Sequence, residues 1–329
     1  MKIMSENQSM PSKIIVFGGA GFIGTHLIRA LHGSGENDIV CIDRADPRER
    51  LDGVTYMKAD VRNLDGFSTH GPIARIYDLA ALCVIPKYQD HEYYDVNVNG
   101  AISVTGFAER HGVVDVVFVS SMATYGTGED RKSEQTPQTP ENAYGWSKLI
   151  AERVYLSWLQ RDTNRKLVIC RPAVIFGHGE GGNFTRLAKL VKWGLFVFPG
   201  RKDTKKACYY VKHLVDDLNF AANWGERLAI FNACYDHVYT IENIVRAFEE
   251  AGVGKLRTLL MPETILIIAA HLLQPFNLLG LEIHPDRIRK LTNSTNLKPA
   301  WLRAHDRVRT DELTSAIVDW KVETDGRMN

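Results

Sequence analysis

The stretch Lys13-Ile14-Ile15-Val16-Phe17-Gly18-Gly19-Ala20-Gly21-Phe22-Ile23-Gly24, KIIVFGGAGFIG, decides how the rest of the chain is read. A short β-favouring apolar run ends in a glycine cluster, and an apolar helical segment, residues 22–31, follows. The glycines satisfy GxxGxxG through Gly18, Gly21 and Gly24, and GxGxxG one residue on. Glycines let a backbone turn tightly and approach a pyrophosphate, which then rests on the helix N-terminus. Such turns are common, so the pattern alone is weak. Asp43 strengthens it, standing about 20 residues on, at the end of the next apolar run. A carboxylate there accepts hydrogen bonds from both hydroxyls of an adenosine ribose and repels a 2′-phosphate. NAD is therefore favoured over NADP, a preference that Arg44 beside it weakens.

Working outward, apolar runs at residues 39–42, Val54–Lys58, 73–79, 113–119 and 167–170 predict five further strands. Helix-length segments lie between them, notably 94–111 and 144–161. Strands alternating with helices imply a parallel sheet with right-handed crossovers, covered on both faces because its strands are continuously apolar. Ligands gather at the carboxyl ends of such strands. After Gly177 the alternation weakens, and the C-terminal third reads as mostly helical. The predicted architecture is α/β: a Rossmann-like, doubly wound domain at residues 13–177, to which 208–238 returns. A smaller, mostly helical substrate domain is expected from 178–207 and 239–329.

The strand ends carry the candidate chemistry. Tyr144 and Lys148 form a YxxxK, and positions four apart share a helix face. A nearby ammonium stabilises phenolate, so the pattern predicts a tyrosine pKa lowered from about 10 and a general acid/base at a carbinol. A surface Tyr/Lys pair is the common explanation of an isolated YxxxK. Here the motif follows a nucleotide-binding half and the strand end Ser120-Ser121. Ser121 is the candidate to meet the same substrate oxygen, Ser120 is its competitor, and simple turn chemistry is the bland alternative. Asp60-Val61, after the third strand, is placed to meet an adenine amino group or to be a solvated loop.

Bulk properties exclude several classes. With 40 basic and 39 acidic residues, the chain gives no reason to expect nucleic acid as a partner. The five cysteines are scattered without metal-ligand spacing and read as buried thiols of a reducing, cytoplasmic compartment; no metal is expected. Residues 1–12 are polar, lack a signal-peptide core and read as a loose leader. Residues 259–283 are apolar-rich around TILIIAAHLL at 264–273, but polar residues and prolines interrupt them. A spanning helix needs about 20 predominantly apolar residues. The favoured reading is a buried or lid helix, with a peripheral membrane contact or a dimer face as the alternatives.

Together these residues resemble the extended short-chain dehydrogenase/reductase family, in its NAD-dependent epimerase/dehydratase group acting on nucleotide sugars. The resemblance covers residues 13–177. It rests on the glycine turn, Asp43, Asp60-Val61-Arg62, Leu79-Ala80-Ala81, Asn97-Val98-Asn99-Gly100, Ser120-Ser121-Met122-Ala123-Thr124-Tyr125-Gly126, YxxxK and Arg171-Pro172-Ala173-Val174-Ile175-Phe176-Gly177. It implies that Gly18, Gly21 and Gly24 hold the pyrophosphate, with Phe22 and Ile23 supplying amides or packing. Asp43 would hold the ribose, Asp60 and Val61 the adenine, and Leu79, Ala80 and Ala81 the cofactor channel. Tyr144 would exchange the proton, Lys148 would also bond the nicotinamide ribose, and Ser121 would position the reacting oxygen. Asn97 would fix the active-site helix, and Asn183, Lys205 and Lys206 would lie near the substrate's diphosphate. A homodimer through two helices is likewise implied.

Two departures bear on the chemistry. Where 4,6-dehydratases of this group carry an Asp-Glu pair after the serine, this chain has Met122-Ala123, which disfavours dehydration. Near Cys83 it also lacks the lysine of some galactose epimerases, so the sugar is expected to differ. The leading expectation is 4-epimerisation of a nucleotide-diphosphate hexose through a transient 4-keto intermediate, with NAD as cofactor. The alternatives are a 4-ketosugar reductase or another alcohol dehydrogenase of the family, a non-catalytic NAD sensor, and a membrane-docked enzyme using 264–273.

Overall fold

In a computed structural model of the protein, residues 12–36, 38–85, 87–273 and 291–329 are described. The expected leader lies outside them apart from Ser12, as does the part of the apolar segment beyond residue 273.

The N-terminal half runs β1 (Lys13–Phe17), α1 (Phe22–Gly33), β2 (Ile39–Asp43), β3 (Val54–Lys58), β4 (Ile73–Asp78), α2 (Asp90–Arg110), β5 (Asp115–Val119), α3 (Ala143–Gln160) and β6 (Lys166–Pro172). All pair in parallel in one seven-stranded sheet, ordered β10-β6-β5-β4-β1-β2-β3, where β10 is Leu228–Ala233. The chain winds outward from β1 through β2 to β3, then crosses back to lay β4 on the other side of β1. That reversal opens a crevice beyond the carboxyl ends of β1 and β4, where an open α/β sheet binds ligands.

Successive side chains of β1 point to opposite faces, and both faces are buried. Ile14 and Val16 pack with Leu27 and Ile28 of α1 and with Leu214 and Leu218 of α5 (Val211–Asn223). Ile15 and Phe17 pack with Val104 and Phe107 of α2 and with Tyr155 and Trp158 of α3. Each such aliphatic or phenyl side chain contributes about 1.5–3 kcal/mol when fully buried. A strand covered on both sides cannot alternate polar residues, which is why β1, β2 and β5 read as unbroken apolar runs.

Beyond Gly177 the sequence reading was coarser than the structure. α4 (Asn183–Trp193) leads into β8 (Leu195–Pro199), which pairs in parallel with β11 (Arg257–Met261). A second small pair joins β7 (Val174–Phe176) to β9 (Cys208–Tyr210). Helices α6 (Ile241–Glu250), α7 (Glu263–Leu273), Ala300–Ala304 and Leu313–Glu323 complete the described chain. The expectation of a mostly helical region at 178–207 and 239–329 thus missed β8 and β11, while β10 falls within 208–238, the segment expected to return to the first domain.

Two other expectations are corrected. Four cysteines are buried, but Cys83 is exposed on the loop after β4. The apolar segment is not a buried helix in its described part: Leu259, Leu260, Ile265 and Ile268 are each about half exposed. Among the described residues, no helix is long and apolar enough to cross a membrane.

Candidate active site

The glycine turn leaves β1 with Gly18 at φ 75°. A Cβ there would stand 2.6 Å from the Ala80 amide nitrogen, so the turn packs directly on the end of β4. At Gly24 a Cβ would meet the Gly18 carbonyl oxygen at 2.4 Å, which forces a close crossing of α1 and the turn. Gly21 caps α1 without any side-chain acceptor, and no acidic residue stands in the first helical turn. The first amides of α1 therefore point outward with the helix dipole behind them, as an anion such as a pyrophosphate requires. Phe22 and Ile23 are half-buried in that first turn and pack against the core between α1 and the sheet.

Asp43 ends β2 and turns back toward the glycines. Its carboxylate accepts from the Ala20 amide at 3.1 Å and from the Ala45 amide at 2.9 Å. Cys41, Asp43, Arg50, Tyr56 and Lys58 line a shallow hollow beside it. Asp60 is engaged by Arg62, whose guanidinium bonds both of its carboxylate oxygens and also reaches Asp95. That guanidinium holds the Asp60 carboxyl below the usual range. Val61 is buried under α2 against Gly100. Leu79, Ala80 and Ala81 follow β4, with the Ala80 amide donating to Asp78. These residues form one continuous floor along the switch point, and the cradle fits a dinucleotide.

The catalytic candidates come from β5 and α3. Asn142 caps α3 by accepting from the Gly145 amide at 2.9 Å, which fixes the helix start one turn before Lys148. Tyr144 is half-buried, its ring 6.2 Å from that of Tyr93 on α2, and its hydroxyl feels the side chain of Ser121. Lys148 is buried with its ammonium 4.2 Å above the Phe118 ring. The two serines have different partners: Ser120 Oγ donates to Glu152 Oε1 at 2.5 Å inside the core, whereas Ser121 Oγ accepts from the Ala123 amide at 3.1 Å and acts on the Tyr144 hydroxyl. Asn97 on α2 donates to Ser147 Oγ at 2.8 Å and pairs with the Leu82 backbone in both directions, so it ties α2, α3 and the loop after β4 together.

The electrostatics differ from the expectation. Burial pushes the Tyr144 hydroxyl well up rather than down, opposed by its bond to Ser121. Burial also lowers the Lys148 ammonium to about 8, against the pull of Asp78, Cys83 and Glu152. Burial is the largest cause for both groups, and neither shift owes anything to the other member of the Tyr/Lys pair.

Sequence reading missed the ring of groups behind Lys148. Asp78 is buried and accepts from Tyr155. Glu152 is fully buried and bonded by Arg171 at 2.9 and 2.7 Å. Residues 144, 148, 152 and 155 share one helical face, a spacing that was available in the sequence. Asn183 and Lys206 stand apart, on other elements. Asn183 opens α4, exposed, and the Lys206 ammonium bonds the Asn293 carbonyl at 2.5 Å. Lys205 bonds the Glu129 carbonyl at 3.1 Å.

Comparison with known proteins agrees with this geometry. Residues 14–226 match the model of the "NAD dependent epimerase/dehydratase family". Over 217 residues the chain is 31% identical to the N-acetyl-α-D-glucosaminyl-diphospho-ditrans,octacis-undecaprenol 4-epimerase of Escherichia coli O157:H7, covering 64% of this chain and 63% of that protein. Over 172 residues it is 32% identical to the UDP-glucose 4-epimerase of Lacticaseibacillus casei, covering 48% of this chain and 50% of that one. The chain thus spans less than two thirds of these relatives' own lengths. The solved structure of MoeE5 in complex with UDP-glucuronic acid and NAD superposes with a TM-score of 0.74 at 21% identity, over 95% of this chain and all of that one.

Proposed function

Because the chain belongs to the NAD dependent epimerase/dehydratase family, we propose that it is an NAD-dependent 4-epimerase of a hexose carried on a diphosphate. The observation that carries this reading is the grouping at the end of β5 of Ser121, the α3 tyrosine Tyr144 whose hydroxyl it influences, and the buried Lys148 one turn on. NAD, when bound, supplies reversible acceptance of hydride from the sugar carbinol. The chain's own residues do the rest. Gly18, Gly21 and Gly24 cradle the pyrophosphate on the N-terminus of α1, and Asp43 takes the ribose hydroxyls. Asp60 and Val61 flank the adenine, and Leu79, Ala80 and Ala81 floor the channel. Ser121 orients the sugar hydroxyl. Tyr144 takes its proton and returns it after the 4-keto sugar turns over. Tyr144 must enter this step as phenolate, and the Lys148 ammonium, present below about pH 8, stabilises that phenolate until the sugar proton neutralises it.

Two carriers fit a diphosphate-linked sugar: a nucleoside, as in the L. casei relative's name, and a polyprenyl chain, as in the E. coli relative's. Asn183 and Lys206 are the candidate diphosphate contacts, and the assembly we expect is a homodimer. The test is incubation of the purified protein with UDP-glucose, UDP-N-acetylglucosamine and polyprenyl-diphospho-N-acetylglucosamine, with catalytic NAD only. Interconversion at C4 without stoichiometric consumption of a reduced cofactor supports the reading. Turnover that consumes NADH or NADPH one for one replaces it with a 4-ketosugar reductase or a related alcohol dehydrogenase.

A further inference from the structure

The apolar edge made by β8, β11 and the start of α7 has no role in the site described above. β8 and β11 pair in register, Leu195 with Arg257 and Val197 with Leu259. In-register residues of a strand pair turn their side chains to the same face. The opposite face of β8 is covered, Phe196 and Phe198 packing on Ile241 and Val245 of α6. The outward face is not: Leu195 is 46% and Leu259 53% exposed. Leu260, in register with Phe198, turns to the other face, while Ile265 and Ile268, about half exposed, share a face of α7 at a spacing of three. Trp193, two residues before Leu195, is 79% exposed.

Single exposed aliphatic residues are ordinary, but Leu195, Leu259, Ile265 and Ile268 stand exposed on successive elements here, with the exposed indole of Trp193 just before β8, and such a group marks an interaction surface. Its charges select the occupant. Lys189, Lys255 and Arg257 stand exposed around it, and Arg257 lies within the apolar face itself, opposite Leu195. Long basic side chains beside indole and aliphatic groups suit a lipid headgroup layer: the stems and rings enter, and the cationic heads meet phosphate. A second copy of the chain is the poorer occupant. Ile102 on α2 with Trp146 and Ile150 on α3 are exposed apolar residues of another surface, which a second copy could use instead.

We propose that this edge docks the protein peripherally on an anionic phospholipid bilayer. The inference goes beyond the epimerase reading and does not depend on it. It also has a geometric consequence for the site. Glu263, the first residue of α7, accepts from Thr292 at 3.2 Å. The neighbouring residues Asn293 and Ser294 bond Lys206 and the Gly128 amide, on the loop that follows Ser121–Tyr125. A bilayer seated on α7 is thereby brought to the side of the molecule where Lys206 stands.

The test is flotation of the full-length protein with vesicles of phosphatidylcholine alone and of phosphatidylcholine mixed equally with phosphatidylglycerol. The expected result is about tenfold or greater enrichment on the anionic vesicles, falling with added salt. Leu259→Ser combined with Ile265→Ser and Ile268→Ser should abolish flotation, and Lys255→Gln with Arg257→Gln should remove its anionic preference. Both variants should keep the wild-type melting temperature and NAD affinity. Wild-type protein that stays with the soluble fraction overturns the proposal. So does a serine variant that floats like wild type, or one whose only change is conversion of a dimer to a monomer in sedimentation velocity. Epimerase activity enters none of these readouts, so failure of the function assay and failure of docking are separate results.

Discussion

Tyr155 donates a 2.5 Å hydrogen bond to the buried carboxylate of Asp78 and so fastens α3 to the end of β4. Tyr155 lies 11 residues after Tyr144, on the helix face that also carries Lys148 and Glu152. One stripe of α3 is therefore held at three strand ends: Asp78 on β4, Ser120 on β5 and Arg171 on β6. A helix anchored this way has little freedom to shift the two groups at its open end, which is the preorganisation that proton transfer to a fixed substrate oxygen requires.

Replacing the tyrosine tests the acid/base assignment. Tyr144→Phe should lower kcat by about 10²–10⁴-fold while leaving NAD affinity within a few-fold of wild type. Steady-state rates and a fluorescence titration with NADH measure the two. Equal loss in both would relocate Tyr144 from proton transfer to cofactor binding.

The ammonium behind it sets a pH limit. Lys148 has a folded-state pKa depressed to about 8, below that of a free lysine, so it loses its proton as pH rises through about 8. kcat/KM should therefore fall above that pH, because the free enzyme's protonation states govern it. For stability the sign is opposite. Between about 8 and the unfolded-state value the unfolded chain binds more protons than the folded one, so stability rises with pH across that window. Thermal melts and rate profiles over the same buffers should move in opposite directions.

Asp78→Asn separates positioning from packing. The carboxylate supports the charged form of Lys148, as Cys83 and Glu152 also do. Removing its charge should shift the alkaline limb of kcat/KM to lower pH, and Asp78→Glu should restore part of it. A purely structural Asp78 would lower stability and leave the limb in place.

At the glycine turn, Gly24→Ala puts a methyl group 2.4 Å from the Gly18 carbonyl oxygen and 2.6 Å from Gly19 Cα, both backbone. Backbone cannot move aside as a side-chain tip does. We expect a loss of about 1–3 kcal/mol in stability and a clear drop in NAD affinity, read by chemical denaturation and titration.

Asp43→Ser should move cofactor preference toward NADP. The hollow beside Asp43 already presents Arg50 and Lys58. Lys58 is already paired with Asp46 at 2.9 Å, so Arg50 is the cation left to meet a 2′-phosphate once the Asp43 carboxylate is gone, and the ratio of NADP to NAD affinity should rise by about tenfold. An unchanged ratio would place the ribose elsewhere.

Much of this arrangement is legible in the sequence, for a physical reason. Strands buried on both faces leave unbroken apolar runs, and β1 and β3 were bounded to the residue. The glycine turn, Asp43, Ser121, Tyr144 and Lys148 lie at strand or helix ends, where local pattern and position coincide. What escaped notice depends on long-range contact. β10 is short and pairs with β6, about 60 residues away, so no local pattern announces its partner. Glu152 and Arg171 look like surface charges until their burial and mutual bonding are seen. The tyrosine's direction of shift also depends on burial, which a YxxxK spacing cannot report.

The place of β10 at the sheet's end has a consequence for biosynthesis. Asn232 in that strand is fully buried, accepts from Tyr125 and donates to the Lys298 carbonyl, while its amide donates to Glu134. The hydrogen-bonding edge of β6 therefore stays bare until the ribosome has released residue 233, and Asn232 lacks one of its partners until residue 298 has emerged. A nascent or proteolysed fragment ending near Gly177 carries the glycine turn, Asp43 and the whole of α3, yet presents an open strand template to its neighbours. Such a fragment should aggregate where the full chain stays dispersed, because β10 covers that edge of β6.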